Sequence, residues 1–268
     1  MNGKQGREKL VRLPQGLTIR TLIPNAVTAA ALGFGLTGIR FGITGQFEQA
    51  VMAVLLAGLL DGIDGRIARM IKGQSRFGAE LDSLADNVSF GVAPALILFL
   101  WSLKDLPRLG WFACLIFAIS CALRLARFNA RIDVEDQPHK SAGFLTGVPA
   151  PFGSGLAMLP MFLLFVTEIP ELRQPIFVGL WLVAIAFLMI SSVATLSWGK
   201  MRPRRGIRLW LVMALGMAGV ALLTEPWWTL IVICVGYLLL LPYGMVSYAR
   251  VKRRRATAAA GGPATPSA

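Results

Sequence analysis

Histidine, cysteine and carboxylate are all scarce here: 268 residues hold one His, three Cys and 14 Asp plus Glu. His139 lies in the polar stretch VEDQPHK and is assigned no role. Cys114, Cys121 and Cys234 fall inside apolar runs and are odd in number, which argues against a disulfide framework and against a zinc site. Charged residues make up only 15% of the chain, and the basic ones are dispersed over five segments without interleaved aromatics. The net charge of +13 therefore does not describe a nucleic-acid surface, and no nucleic-acid partner is expected.

What the chain has instead is apolar length. Apolar residues reach 55%, against roughly 45 to 50% in soluble proteins. Uncharged runs cover residues 21–39, 49–60, 87–103, 109–123, 141–167, 174–199, 209–224 and 226–249. Several meet the roughly 17 to 25 residues that cross a bilayer core, and the shorter second and fourth runs must extend past Asp61 and Arg124. The pattern predicts an all-α, polytopic membrane bundle of eight helices. With the N-terminus inside, 23 of the 27 basic residues fall in inner segments, and only Arg40, Lys104, Arg108 and Arg173 stay outside. Both termini are therefore expected in the cytoplasm. The organisation expected is a basic N-terminus (1–20), a membrane core (21–200), further C-terminal membrane helices (201–250) and a basic disordered tail (251–268) ending in the small-residue stretch ATAAAGGPATPSA.

Five of the 14 acidic residues crowd into residues 61–91: Asp61, Asp64, Glu80, Asp82 and Asp86. Asp61 and Asp64 are three apart and Asp82 and Asp86 four apart, so each pair shares one face of a helix. A turn around KGQS sets Asp61 opposite Asp86 and Asp64 opposite Asp82. An unpaired Asp in the membrane centre costs about 2.5 to 3.5 kcal/mol on the lenient insertion scale, and mutual repulsion adds to that. Positive charge is needed between the carboxylates. Oxygen ligands with no His or Cys nearby favour Mg2+ first and Mn2+ second. Four carboxylates exceed what one Mg2+ takes from protein, which points to two cations or to one shared with phosphate. Gly62, Gly65 and Ala68 leave a stripe of the first helix nearly bare, and Arg69 follows as a partner for phosphate.

DGIDGRIAR (61–69), eight residues, then GAELDSLAD (78–86) resembles the signature of the CDP-alcohol phosphatidyltransferases, with Asp61, Asp64, Gly65, Ala68, Arg69, Gly78, Asp82 and Asp86 at fixed gaps. The resemblance spans the first six helices and implies a six-helix core, with about two C-terminal helices added to it. It also implies an integral protein of a bacterial inner membrane, working as a homodimer among membrane lipids. Its two-metal site would face the cytoplasm, where an alcohol displaces CMP from a CDP-linked lipid. By that resemblance Asp61, Asp64, Asp82 and Asp86 hold Mg2+ or Mn2+, Asp86 takes the acceptor's proton, and Gly65 and Arg69 contact the CDP moiety of CDP-diacylglycerol. Asn25 and Thr28 of PNAVT resemble the family's nucleotide-side polar pair, although a helix-starting Pro-Asn with a back-bonded Thr accounts for them equally. Ser75, in the turn, is a further candidate donor to phosphate.

The flanks FGAELDSLADNVSFGVAPA (77–95), ALRLARFN (122–129) and FLTGVPAP (144–151) are similar to members that use L-serine as acceptor. Arg124, Arg127 and Arg131 lie near one helical face, where they could meet a lipid phosphate or the serine carboxylate, or simply anchor the helix. For serine the candidates are Arg124 and Arg127, with Arg127 the first choice and Ser83, Asn87 and Asn129 as neutral donors. Glycerol 3-phosphate, inositol phosphate and choline remain alternative acceptors. A divalent-cation transporter is the distant alternative, but it would set its carboxylates near the midplane rather than beside Lys72 and Arg76.

Overall fold

The computed structural model describes residues 19–71, 75–130, 144–191, 194–196 and 205–242. The expectations for the N-terminal segment, the middle of the KGQS turn, the loop with Arg131 and His139, and the tail lie outside these residues. Helices α1 (Ile19–Ile43) and α2 (Phe47–Met70) form a tight hairpin. The turn depends on Gly45, whose φ of +75 is open to glycine at little cost and lets Gln46 N–H return to the Phe41 carbonyl at 2.9 Å.

Next comes a continuous helical rod, Arg76–Trp101, in three parts. These are α3 (Arg76–Asp86), a π-helical turn (Asn87–Val92) and α4 (Ala93–Trp101). The wide turn has a local cause. Pro94 has no N–H to offer the Phe90 carbonyl, and Ala93 N–H bonds back five residues to Val88. The turn is wedged between α1 and the next long helix, α5 (Pro107–Ala130). A side chain in place of Gly91 would lie 2.9 Å from the Cys121 Cβ on α5.

Strand β1 (Phe144–Thr146), helices α6 (Ala150–Ala157), α7 (Leu159–Thr167) and α8 (Pro175–Ile190), strand β2 (Ala194–Leu196) and helices α9 (Arg205–Thr224) and α10 (Pro226–Pro242) complete the order. α8 packs along α5, so the rod runs between the α1–α2 pair and the α5–α8 pair. Phe90, Trp101, Phe117, Phe162, Leu182 and Ile185 fill the space between them and are fully enclosed. Large apolar side chains such as Leu109, Phe112, Ile176, Leu180 and Phe187 point outward, as they do in a protein whose solvent is lipid.

The chain is thus an all-α, polytopic membrane protein, apart from one three-residue ribbon among the described residues. Among the described residues, Thr21–Ile43, Arg76–Trp101 and Pro107–Ala130 are long and apolar enough to cross a membrane, and α6 with α7 makes a fourth such length bent by 41°. α8 and α10 are apolar but shorter. α2 and α5 continue past Asp61 and Arg124, as their short uncharged runs required.

Two expected spans need correction. Residues 141–167 and 174–199 are not continuous helices, because β1 pairs antiparallel with β2, Phe144 facing Leu196 and Thr146 facing Ala194. Gly147 turns the chain out of the ribbon at φ +77, where any side chain would lie 2.6 Å from the Met189 carbonyl. The bend between α6 and α7 comes from Pro160, which cannot donate to the Leu156 carbonyl. The Trp181 indole donates to that carbonyl instead, at 2.8 Å.

Candidate active site

α1 packs against both α2 and α3, whereas α2 and α3 barely touch through their backbones. The helices carrying the two aspartate pairs are therefore held apart by a third, leaving a gap that their side chains face across. Asp61, Asp64 and Asp82 each direct one carboxylate oxygen to a common point, all within 4.8 Å of one another. Asp86, one turn further along the rod, has its carboxyl group beside that of Asp61. The facing of Asp61 and Asp86 expected from the hairpin is present. Asp64 is only 3% exposed, so its charge has almost no access to solvent.

Among the described residues none of the four carboxylates is in an ion pair. Such a set suits a hard divalent cation by donor type. At a Mg–O distance of about 2.1 Å, trans ligands stand about 4.2 Å apart, so small side-chain movements suffice to close the triplet on an ion.

Thr28 of α1 fixes the deepest ligand. Its hydroxyl donates to Asp64 Oδ2 at 2.6 Å and also lies 3.0 Å from the Pro24 carbonyl. The back-bond considered from sequence is present, but the shorter, charge-assisted contact is the stronger claim on the single proton. Beside it opens a cavity of 340 Å³ whose lining includes Asn25, Thr28, Asp64, Gly65, Arg69, Ser75 and Asp82. The five residues named from sequence for CDP-diacylglycerol thus share one cavity with two of the aspartates. Gly62 does not line it, whereas Gly65 and Ala68 do.

Ser75 also caps α3, accepting from Gly78 N–H at 3.0 Å, and its own proton stays available to the cavity. Gly78 has to be bare. A Cβ there would lie 2.7 Å from Asn25 Oδ1 and 3.1 Å from Ser75 Oγ. It lets α3 slide under the Asn25 amide.

The two arginines named for serine separate. Arg127 is exposed, and its Nη1 donates to the Ile190 carbonyl at the end of α8, 2.9 Å away. Arg124 is half-buried and lies within electrostatic reach of Asp86, Cys121 and Tyr237. Its Nε is enclosed and makes no hydrogen bond among the described residues, and the same is true of Asn87 Oδ1. Asn129 Nδ2 donates to Ser83 Oγ at 2.8 Å, tying the end of α5 to α3. Sequence reasoning missed the Thr28–Asp64 bond and the approach of Tyr237. Both join residues far apart in the chain, and only the PNAVT pattern hinted at the first.

The family model for CDP-alcohol phosphatidyltransferase matches residues 21–199, and a second one, CDP-alcohol phosphatidyltransferase 2, matches 207–242. Relatives named CDP-diacylglycerol--serine O-phosphatidyltransferase include one from Mycobacterium tuberculosis, 34% identical over 84% of this chain and 79% of the relative. One from Helicobacter pylori is 36% identical over 64% of this chain and 70% of its own length. One from Bacillus subtilis is 30% identical, covering 64% of this chain and 88% of the relative. Since the first match takes in well over half of the sequence, including both aspartate pairs and the cavity beside them, the chain belongs to the CDP-alcohol phosphatidyltransferase family.

Proposed function

We propose that this protein transfers the phosphatidyl group of CDP-diacylglycerol to the hydroxyl of L-serine, giving phosphatidylserine and CMP, at a two-cation site on the cytoplasmic face of a bacterial inner membrane. The observation that carries the reading is the convergence of four carboxylates, none ion-paired among the described residues, beside a cavity of nucleotide scale that Asn25, Thr28, Arg69 and Ser75 help to line. The relatives' names support serine as acceptor. Asp61, Asp64, Asp82 and Asp86 hold Mg2+ or Mn2+. Bound there, the divalent cations neutralise the pyrophosphate and stabilise the departing CMP.

The chain's own residues do the rest. Asn25 and Ser75 hydrogen-bond the nucleotide end, Gly65 lets it approach the α2 backbone, and Arg69 at the rim pairs with phosphate. Thr28 keeps Asp64 oriented. As the serine Oγ–P bond forms and the P–O bond to CMP breaks, Asp86 accepts the hydroxyl proton. A carboxylate beside a cation is a weak base, so proton transfer accompanies attack rather than preceding it. Arg124 is preferred over Arg127 as partner of the serine carboxylate, because it lies within reach of Asp86 while Arg127 is engaged at Ile190.

The test is incubation of the purified protein with CDP-diacylglycerol, Mn2+ and a panel of labelled alcohols. Serine should be the best acceptor. Faster transfer to glycerol 3-phosphate would overturn the serine assignment and leave the aspartate chemistry standing.

A further inference from the structure

The rod Arg76–Trp101 keeps the same neighbours along a length over which a straight α-helix would turn away from them. On its α1 side, a Cβ on Gly78 would lie 2.7 Å from Asn25 Oδ1, and one on Gly42 would lie 3.4 Å from Ile97 Cγ1. Gly78 and Ile97 are nineteen residues apart, which in an α-helix overshoots five whole turns by about 100°. On its α5 side, Asn129 Nδ2 donates to Ser83 Oγ at 2.8 Å and Cys114 Sγ donates to the Ala95 carbonyl at 3.2 Å, with Gly91 against Cys121 between them. Ser83 and Ala95 are twelve residues apart, an overshoot of about 120° past three turns. Both faces are kept nonetheless.

The π-helical turn Asn87–Val92 removes the discrepancy. Its bonds close over five residues, as from Ala93 N–H to the Val88 carbonyl, so the turn takes in one residue that adds nothing to the winding. Discounting that residue leaves eighteen steps between Gly78 and Ile97, about five full turns, and eleven between Ser83 and Ala95, within about 20° of three. Pro94 fixes where the residue is absorbed. With no N–H for the Phe90 carbonyl and a ring that crowds it, Pro94 opposes a tight turn at this point and leaves α3 regular.

The direction of the aspartates follows. Asp82 lies on α3 and Asp86 ends it. With the Trp101 half held by α1 and α5, an uninterrupted helix would swing both by about 100° about the rod axis, off the line to Asp61 and Asp64. We infer that the π-helical turn, pinned by Pro94, is a positioning device for the cation site: it resets the helix by one residue, so that α3 presents Asp82 and Asp86 to α2 while the membrane half keeps its own packing. The inference rests on the cation reading of the four aspartates and deepens it. One residue of the turn is then superfluous to the site, provided that the proline opposing a tight turn is replaced with it.

The experiment measures Mn2+ binding to chelator-treated full-length protein by electron paramagnetic resonance, which follows the free ion, together with thermal midpoints and helix content. Deleting Val88 along with Pro94→Ala turns the wide turn into an α turn without rotating either half. That shortened variant should bind Mn2+ as the unmodified protein does, with a thermal midpoint no lower. Inserting an alanine after Val88 adds a residue that the turn cannot absorb. It should weaken Mn2+ binding about a hundredfold or more through loss of two charge-assisted contacts, with helix content unchanged. If the unmodified protein binds Mn2+ no better than Asp61→Asn, the cation reading beneath fails. If it binds and the shortened variant does not, or melts well below it, the resetting role is wrong and the cation site stands. An insertion variant that binds Mn2+ as the unmodified protein does would overturn the resetting role as well.

Discussion

The two ends of the rod Arg76–Trp101 solve opposite problems. At the Trp101 end Ser102, Arg173 and the Trp101 carbonyl answer one another. Ser102 Oγ donates to the Arg173 carbonyl at 2.7 Å, Arg173 Nε donates to the Trp101 carbonyl at 2.8 Å, and the guanidinium lies 5.9 Å from the Trp101 ring. At the Asp86 end four carboxylates gather with no ion pair among the described residues, and two neighbouring polar atoms, Arg124 Nε and Asn87 Oδ1, are enclosed without a hydrogen bond there. A self-satisfied end needs nothing further. An end that collects like charge in a poor solvent for charge is incomplete until a ligand enters, and this asymmetry separates clasp from catalytic site.

The contrast would collapse most visibly on removal of one charge from the incomplete end. Asp61→Asn or Asp82→Asn should abolish transfer, lowering CMP release by about two orders of magnitude or more, since charge-assisted contacts to a cation are lost. Circular dichroism should show the helix content unchanged, because the amide is no more polar to insert. Retained turnover would mean that the cluster is not a metal site.

Two smaller changes probe the same end more finely. Thr28→Val removes the hydroxyl that holds Asp64. It should raise the Mn2+ concentration needed for half-maximal rate by about tenfold, equivalent to roughly 1.5 kcal/mol, with helix content intact. Gly78→Ala drives a methyl against Asn25 Oδ1 and should raise the KM for CDP-diacylglycerol severalfold while sparing that for serine.

The satisfied end should behave in reverse. Arg173→Ala removes a donor from the Trp101 carbonyl and a contact with its ring, which should destabilise the fold by about 1 to 3 kcal/mol, read as a lower thermal midpoint. Both KM values should stay as they were. A kinetic defect with normal stability would show that this end is not a mere clasp. The smallest perturbation is a label: Ser75→Cys should react with a membrane-impermeant reagent only after cells are opened, and reaction from outside would invert the proposed topology.

Much of this was legible because a membrane chain advertises itself. Long uncharged runs marked the helices, and the three- and four-residue aspartate spacings put each pair on one face before any contact was known. The ribbon was not legible: FLT and ATL lie inside apolar runs that read as spans, and the Gly147 turn that releases the chain depends on the distant Met189 carbonyl. The π-helical turn left a trace in Gly91 and Pro94, and the α6–α7 bend left one in Pro160. The proposed preference for Arg124 over Arg127 could not be drawn from a linear stretch, because it turns on Ile190 taking one guanidinium and Asp86 lying within electrostatic reach of the other. Side chains that act across the bundle are decided by tertiary approach, and local periodicity says nothing about that.

Whether the unanswered carboxylates are a cation site for phosphatidyl transfer can be decided by titrating Mn2+ or Mg2+ into chelator-treated protein. CMP release would be followed with CDP-diacylglycerol and labelled serine present. A cation site requires that neither CMP nor labelled lipid form in chelator, and that either ion restore both together in the unmodified protein and neither do so in Asp61→Asn. Full turnover in chelator, or ion-restored turnover in Asp61→Asn equal to that of the unmodified protein, would contradict it.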